Sequence, residues 1–159
     1  MADASRTTVS SQATGADAAT AGLGALTALG KALPSQDLLD AMGFVELVNV
    51  DVDKGVIRAH FDAQARFCHT NGTIVQGGFV TAWLDFSMAQ AAFVKAGRPV
   101  GVASLEIKVS FLRRVGPGRV LAEGRVTRMG RRVAFLDASL FDDSGVLLAT
   151  ASSSALLEG

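Results

Sequence analysis

The residue best suited by its setting to do chemistry is Asp85, a carboxylate inside a long apolar segment. Its neighbours on both sides are apolar: Trp83, Leu84, Phe86 and Met88. Carboxylates are almost never fully buried unless they are paired or used in function. Thr81 precedes Asp85 by one helical turn, so a helix would place both on one face. Asp85 is therefore interpreted either as a catalytic carboxylate or as part of a solvated stripe with Thr81 and Gln90.

A glycine pair, Gly77 and Gly78, comes just before this apolar segment. The start of a helix exposes backbone N–H groups and the positive end of the helix dipole. Glycines there let a ligand oxygen approach those groups closely. A carbonyl oxygen that develops negative charge would be stabilised at this position. The alternative is that the two glycines only shape a junction between loop and helix.

Arginines are concentrated late in the chain. Seven of the eleven lie between positions 113 and 132, and only Glu123 opposes them there. The seven are Arg113, Arg114, Arg119, Arg125, Arg128, Arg131 and Arg132. The planar arginine fork suits phosphate oxygens, and a net charge of zero favours a small phosphorylated molecule over nucleic acid. The alternative is a solvated sheet edge, where charges deter aggregation.

Other catalytic chemistries find little support in the sequence. The two histidines, His60 and His69, are not spaced as metal ligands with Cys68 or with a carboxylate. Ser87, Ser104 and the serines at 152–154 lack the surroundings of a nucleophile motif. We therefore expect neither a metal nor a cofactor.

The elements that must position these residues follow from periodicity and turn signals. A short helix is expected over 34–42, with Ser35 as its cap. Alternating residues predict a hairpin of two strands over 48–62, and an irregular loop over 63–74 follows. The segment Phe79 to Lys95 predicts a buried helix that ends at Gly97 and Pro99.

Four further strands are expected after this helix, centred on 104–111, 119–127, 134–140 and 146–157. Short turns join them, so we expect an antiparallel meander. Alternation in the first of the four places Ser104 on the face opposite Leu105 and Ile107. Because a single apolar helix needs a sheet wide enough to wrap it, the predicted class is α+β, with a curved antiparallel sheet of about six strands around one long central helix.

The first thirty residues, Met1 to Gly30, differ from the rest in composition. They are mostly Ala, Ser, Thr and Gly, which bury too little surface to offset the entropy of ordering. We expect a disordered N-terminal tail over 1–30 and one domain over 31–159. The single cysteine, together with no apparent signal peptide or membrane span, predicts a cytoplasmic protein.

The motifs resemble the signature of hotdog-fold acyl-CoA thioesterases. The stretch from Phe67 to Phe79 carries the likeness together with Trp83-Leu84-Asp85. It extends through 101–111 and the hairpin at 128–132, and is closest to the phenylacetyl-CoA and 4-hydroxybenzoyl-CoA thioesterase group. The resemblance implies the hotdog fold and hydrolysis of an acyl-CoA thioester, aryl or medium to long chain, to free acid and CoA.

The resemblance also implies roles for individual residues. Asp85 is the general base or the nucleophile. The backbone amide of Gly77 polarises the thioester carbonyl, and the adjacent Gly78 is a substrate-binding residue. Ser104 helps to orient water. Basic residues at strand turns bind CoA, which points to Arg113, Arg128, Arg131 and Arg132. Self-association to a dimer or tetramer with shared active sites is implied as well.

Two positions depart from the family pattern. Gln76 stands where the family often has a histidine before the glycine pair, and an amide can still donate a hydrogen bond. Thr70 stands where the family has an asparagine, so Asn71 or His69 is left to take that role.

Two other functions stay open: a hotdog hydratase or dehydratase acting on acyl thioesters, and a non-catalytic acyl-CoA-binding module. Release of free CoA from acyl-CoA would distinguish a thioesterase from both.

Overall fold

The computed structural model describes residues 34–159 of the chain. The predicted tail, Met1 to Gly30, lies outside the described residues. The helices are α1 (Gln36–Ala41) and α2 (Gly77–Ala96). The strands are β1 (Phe44–Asp51), β2 (Val56–Ala63), β3 (Cys68–His69), β4 (Ile74–Val75), β5 (Gly101–Phe111), β6 (Gly118–Met129), β7 (Val133–Asp142) and β8 (Leu147–Glu158).

Six of the strands form one antiparallel sheet in the order β1-β2-β6-β7-β8-β5. Helix α2 packs on one face of this sheet and contacts β2, β5, β6, β7 and β8. The side chains of β2 and β7 alternate as expected, since Ile57, Ala59 and Phe61 are fully buried. The prediction of about six antiparallel strands around one long helix is confirmed.

Helix α2 begins and ends where its sequence provides caps. Gln76 is the N-cap residue, and Gly97 ends the helix in the left-handed conformation at φ 63°, which glycine adopts without steric cost. Trp83 is fully buried in the middle of the helix, and its indole N–H donates to the carbonyl of Met42, 2.7 Å away. Burial of this large ring, with its polar atom paired, holds the helix on the sheet.

The helix approaches the sheet most tightly at Gly124 of β6. A Cβ atom added at Gly124 would overlap the backbone carbonyl of Ser87. Ser87 is itself buried, and its hydroxyl donates to the carbonyl of Trp83 one turn earlier. Glycine is thus required at this crossing because only a residue without a side chain lets the two backbones touch.

The predicted meander is wrong for its first strand. β5 pairs with β8 at the edge of the sheet, whereas β6 pairs with β2. The connection over 112–117 is not a hairpin turn, because its backbone is hydrogen-bonded to β8 and β4. Leu112 and Arg113 donate backbone hydrogen bonds to Leu148, and the carbonyl of Val115 accepts from Val75. The chain therefore returns across β8 and β7 before it enters β6.

Two local predictions also need correction. In β1 a bulge between Leu47 and Asn49 shifts the alternation, so that Leu47 and Val50 pack on the core while Val52 is exposed. The segment 63–74, expected to be an irregular loop, contains a 3₁₀ turn (Ala65–Phe67) and strand β3, which pairs with β4. The short helix α1 forms as expected, with the Ser35 side chain accepting from the N–H of Leu38.

Candidate active site

Asp85 lies on α2 and is half-buried. The hydroxyl of Ser104 on β5 donates a hydrogen bond to Oδ1 of Asp85 at 2.7 Å. In the described part of the chain no residue donates to the other carboxylate oxygen, Oδ2. A carboxylate held at one oxygen and open at the other can accept a proton from water or attack an electrophile.

Ser104 reaches Asp85 because β5 is bulged. The register of β5 against β8 shifts between Ser104 and Glu106, which makes Leu105 an extra residue. A bulge changes the phase of side-chain alternation. Ser104 therefore shares the helix-facing side with Ile107, which packs on the core, while Leu105 is 59% exposed. The prediction that Ser104 lies opposite Ile107 is wrong for this reason.

The glycine pair lies in the first turn of α2, where one amide is occupied and one is not. Oε1 of Gln76 accepts a hydrogen bond from the N–H of Gly78. The N–H of Gly77 belongs to those that a helix leaves without an intrahelical acceptor, and no acceptor for it lies within residues 34–159. Thr81 donates to the carbonyl of Gly77 and so steadies this turn. Gly77 is the amide of the pair that can meet a ligand oxygen.

A cleft of about 390 Å³ opens beside Gly77. It is lined by Ile74, Val75, Val80, Phe111, Leu112 and Val115, with Arg113 and Arg114. The ring of Phe111 lies against Gly77, since a Cβ added there would be 3.1 Å from Cζ of the ring. Of these residues, only Gly77 and Arg113 were singled out from the sequence as site residues. The other lining residues gave no signal in the sequence, because the alternation of β5 puts Phe111 with its ordinary apolar face and only the structure shows that it is exposed.

Gly77 and Asp85 do not meet within one chain. They are eight positions apart on the same helix, which separates them by about 12 Å along its axis. The N–H groups of the first turn also point out of the helix start, away from Asp85. One carbonyl cannot accept from Gly77 and be attacked through Asp85 of the same chain, because each contact requires about 3 Å.

The hairpin between β3 and β4 contains the residues that stand near the family asparagine. Thr70 and Asn71 both have positive φ, 52° and 55°. The imidazole of His69 lies 2.7 Å from the hydroxyl of Thr70. Within the described residues none of these side chains has a hydrogen bond to Asp85, Gly77 or Ser104. The structure therefore leaves the choice between Asn71 and His69 open.

The structure separates the arginines into two places. Arg113 lines the cleft at Gly77, whereas Arg128, Arg131 and Arg132 belong to the β6–β7 hairpin near the end of α2. Two contacts give this location. The N–H of Val126, close to the hairpin, donates to the carbonyl of Gly55. Gly55 in turn lies against Lys95 in the last turn of the helix.

Arg113 also acts at the β7–β8 turn. The pKa of Asp142 is lowered, chiefly by a hydrogen bond from Ser144 and also by the charge of Arg113.

The histidines lie apart from Asp85. Nδ1 of His60 is 3.3 Å from Glu46, and His69 is in the β3–β4 hairpin. Over residues 34–159, no group of three or more histidine, cysteine or acidic side chains could hold a metal ion. Nor does any helix in this part of the chain combine the length and apolar character that a membrane span requires.

Comparison with known proteins points to one group. A family profile described as the thioesterase superfamily matches residues 72–149. Among curated proteins, an inferred esterase of Saccharolobus solfataricus is 27% identical over 112 residues, which are 70% of this chain and 73% of the relative.

Solved structures agree with this comparison. A phenylacetic acid degradation-related protein of Ralstonia eutropha JMP134 has a TM-score of 0.73 and 27% identity, covering 83% of this chain and 98% of its own. The PaaI protein from the phenylacetic acid degradation operon of E. coli has a TM-score of 0.72 and 15% identity, with coverages of 92% and 97%. At that identity the second likeness shows the fold alone.

Proposed function

Because this chain belongs to the thioesterase superfamily and has the hotdog fold, we propose that it hydrolyses acyl-CoA thioesters to a free acid and CoA. The observation that carries the proposal is the carboxylate of Asp85, half-buried on the central helix and hydrogen-bonded at one oxygen by Ser104. Such a group is oriented by its neighbour while its second oxygen stays available for proton transfer or attack.

Each residue then has a defined part in the reaction. The N–H of Gly77 donates to the thioester carbonyl oxygen and stabilises the negative charge that develops there. Asp85 either takes a proton from the attacking water or attacks the carbonyl carbon itself, forming an anhydride that water then opens. In both routes the bond from carbon to sulfur breaks, and the CoA thiolate leaves and is protonated. Gln76 holds Gly78 and so shapes the turn that presents Gly77.

We place each complete site between two copies of the chain. Since Gly77 and Asp85 of one copy cannot reach the same carbonyl, a second copy has to supply one of them. Edge strand β5 offers the surface for that contact, because one of its edges has no partner in the sheet of the described chain. It carries the exposed residues Leu105 and Phe111, which the contact would bury. The contact would also pair the open backbone edge of the strand.

The positions along β5 fit such a pairing. Ser104, near the start of β5, contacts Asp85, and Phe111, at its end, contacts Gly77. Two antiparallel copies of β5 centred between Ile107 and Lys108 place Ser104 of one opposite Phe111 of the other. This brings Gly77 of one copy towards Asp85 of its partner.

The same pairing brings the hairpin arginines of one copy towards Arg113 of the other. The carbonyl of Arg132 accepts from Leu157, which pairs with Val102 at the start of β5. In an antiparallel pair, the start of one β5 lies beside the end of the other. Arg128, Arg131 and Arg132 are thus proposed to bind CoA phosphates across the interface.

We also propose that the protein meets this substrate in the cytoplasm.

The experiment is Asp85→Asn, assayed by release of free CoA with a thiol reagent. The amide keeps the shape of the side chain and can still accept from Ser104, but it is neither base nor nucleophile. We expect hydrolysis to fall about 10²–10⁴-fold, the usual contribution of a positioned acid or base. Folding should survive, because an amide costs less than a charge in an apolar setting.

A matched control is Asp137→Asn on β7, a carboxylate of the opposite sheet face. Near wild-type turnover by Asp85→Asn on any good substrate would remove Asp85 from the mechanism. A single turnover in ¹⁸O-water tests for the nucleophilic route, since the label enters Asp85 only if an anhydride forms and water opens it at the Asp85 carbonyl. A chain that binds acyl-CoA without releasing CoA would instead be the binding module or the hydratase.

A further inference from the structure

The bulge in β5 goes against the apolar pattern of its own strand. With regular alternation, Leu105 would lie on the helix side of the sheet together with Ile107. The bulge instead leaves Leu105 59% exposed and brings Ser104 to Asp85. Because burial of a leucine side chain is favourable, the regular register competes with the observed one within the chain. Contacts that favour the bulged strand are therefore needed to hold it.

The carboxylate of Glu106 makes one such contact, just after the bulge. Glu106 alternates with Ile107, so its side chain lies on the face of the sheet away from α2. It pairs with Ser154 of β8. Its Oε1 accepts from the N–H of Ser154 at 2.9 Å and from the hydroxyl of Ser154 at 3.0 Å. A side chain thus bonds a backbone donor of the neighbouring strand.

The second contact comes from the helix side of the sheet. Ser153 is 4% exposed, and its hydroxyl donates to the backbone carbonyl of Glu106 at 2.6 Å. The N–H of Ser154 and the carbonyl of Glu106 are the two groups that a regular antiparallel pair bonds to each other. In the bulged strand each of them has a side-chain partner instead. These side-chain contacts stabilise the bulged register more than the regular one, in which the two backbone groups satisfy each other.

We infer that Glu106 and Ser153 are positioning residues for the proposed reaction. They hold the bulge and so keep Ser104 against Asp85. The inference rests on the proposed function, because the place of Ser104 matters only if Asp85 acts on the thioester. In the regular register Ser104 would turn to the other face of the sheet. Asp85 would then lose the donor that orients its carboxylate.

The test asks whether the effect of Glu106 passes through Ser104. Glu106→Ala deletes the acceptor for Ser154, whereas Glu106→Gln retains a side-chain oxygen there. Asp137→Ala is the matched control, since it removes a carboxylate from the same face of the sheet on a different strand. Each change is made in the wild-type protein and in Ser104→Ala, and melting temperatures show whether the variants are folded.

We expect Glu106→Ala and Ser104→Ala each to lower kcat for an acyl-CoA about 10-fold, the effect of one hydrogen bond missing from the transition state. KM should stay within about 2-fold of the wild-type value. In the Ser104→Ala background, Glu106→Ala should lower kcat less than about 2-fold further, because the hydroxyl that it positions is gone. Glu106→Gln and Asp137→Ala should keep most of the activity.

Equal losses from Glu106→Ala in both backgrounds would mean that Glu106 only supports the fold, and would overturn the inference. A wild-type kcat in Glu106→Ala or in Ser104→Ala would overturn it too.

Ser153→Ala tests the main-chain contact separately. It removes one buried hydroxyl and leaves a side chain of nearly the same size, so the fold should be retained. It should lower kcat several-fold in the wild-type background and have little further effect in Ser104→Ala. An equal loss in both backgrounds would overturn the assignment of Ser153.

Cross-strand NOEs between β5 and β8 report the register without an assay of activity. Ser104 is opposite Ala155 in the bulged strand, and Leu105 would take that place in the regular one. Glu106→Ala should therefore move the cross-strand NOEs of Ala155 from Ser104 to Leu105. An unchanged register in Glu106→Ala would overturn the inference.

Failure of the inference and failure of the proposed function are distinguishable. If the wild-type protein hydrolyses no thioester, the proposed function is wrong, whatever register the NOEs show. If it hydrolyses acyl-CoA but neither the register nor kcat depends on Glu106, only the inference is wrong.

Discussion

Replacing Gly77 with proline would remove a single hydrogen-bond donor from the proposed site. Proline is well tolerated at the first position of a helix, because the missing N–H is one that the helix does not use. Gly77 is the first residue of α2. Gln76 before it has φ −65° and ψ 133°, a conformation that a following proline favours. Gly77→Pro should therefore fold while losing the amide that we propose binds the thioester oxygen.

The expected loss in kcat is about 10²–10³-fold, the effect of removing one donor from an oxyanion hole. Gly77→Ala is the matched control, since it keeps the N–H and adds only a methyl group. That methyl group would lie 3.1 Å from the ring of Phe111, which must move by a few tenths of an ångström. The ring is more than half exposed and can do so. We expect Gly77→Ala to retain most of the activity.

Combining two inactive chains tests the shared site directly. Gly77→Pro and Asp85→Asn chains, co-expressed with different tags and purified as a hetero-oligomer, would give a dimer with one native site and one doubly altered site. Activity should return to about half of the wild-type rate per dimer. A hetero-oligomer as inactive as its parents would refute the shared site, and wild-type activity of Gly77→Pro alone would refute the role of the amide.

Three further changes test the fold around the site. Thr70→Asn should raise the free energy of unfolding by about 1 kcal/mol, because asparagine tolerates a positive φ better than a β-branched residue; a lower melting temperature would mean that the threonine hydroxyl matters more. Gly124→Ala should cost at least about 2 kcal/mol, because its methyl group overlaps the Ser87 carbonyl. Gly116→Ala is its control: the added methyl group would lie 3.7 Å from its nearest neighbour, so this change should be close to neutral when both variants are unfolded in urea. Burial raises the pKa of Glu123, but hydrogen bonds and charge from two arginines outweigh it and leave the pKa lowered. Its ionised form thus stabilises the fold above the ordinary glutamate range and loses this effect as pH falls through the lowered pKa. Glu123→Gln should cost about 1 kcal/mol at pH 7 and progressively less in acid, and a cost independent of pH would contradict the argument.

The parts of the fold that could be predicted are those where one physical signal dominates. Strands β2 and β7 alternate cleanly, and α2 is apolar on nearly all sides between recognisable caps. The position of β5 could not be predicted, because short connections favour neighbouring strands and nothing local shows that 112–117 is held by Leu148 and Val75. Pairing between distant segments decides the strand order, and local patterns of residues along the chain do not reveal it.

The contact between Ser104 and Asp85 shows the same limit within the site. Regular alternation puts Ser104 on the outer face, and the bulge at Leu105 puts it on the helix side. One extra residue in a strand reverses every face assignment beyond it. Leu105 is an ordinary strand residue, so its type does not mark the bulge. The likeness to a family suggested Ser104 as a site residue, and periodicity argued against its contact with Asp85.

The separation of Gly77 from Asp85, by contrast, follows from the sequence once the helix is placed. Eight positions on a continuous helix span about 12 Å whatever the surrounding fold, and caps at Gln76 and Gly97 make this helix continuous. A donor at the start of a helix and a carboxylate two turns later serve one small electrophile only if another copy brings them together. Asp85 lies against the start of edge strand β5 and Gly77 against its end. The antiparallel pairing of that edge that we propose would join them twice and give two sites per dimer.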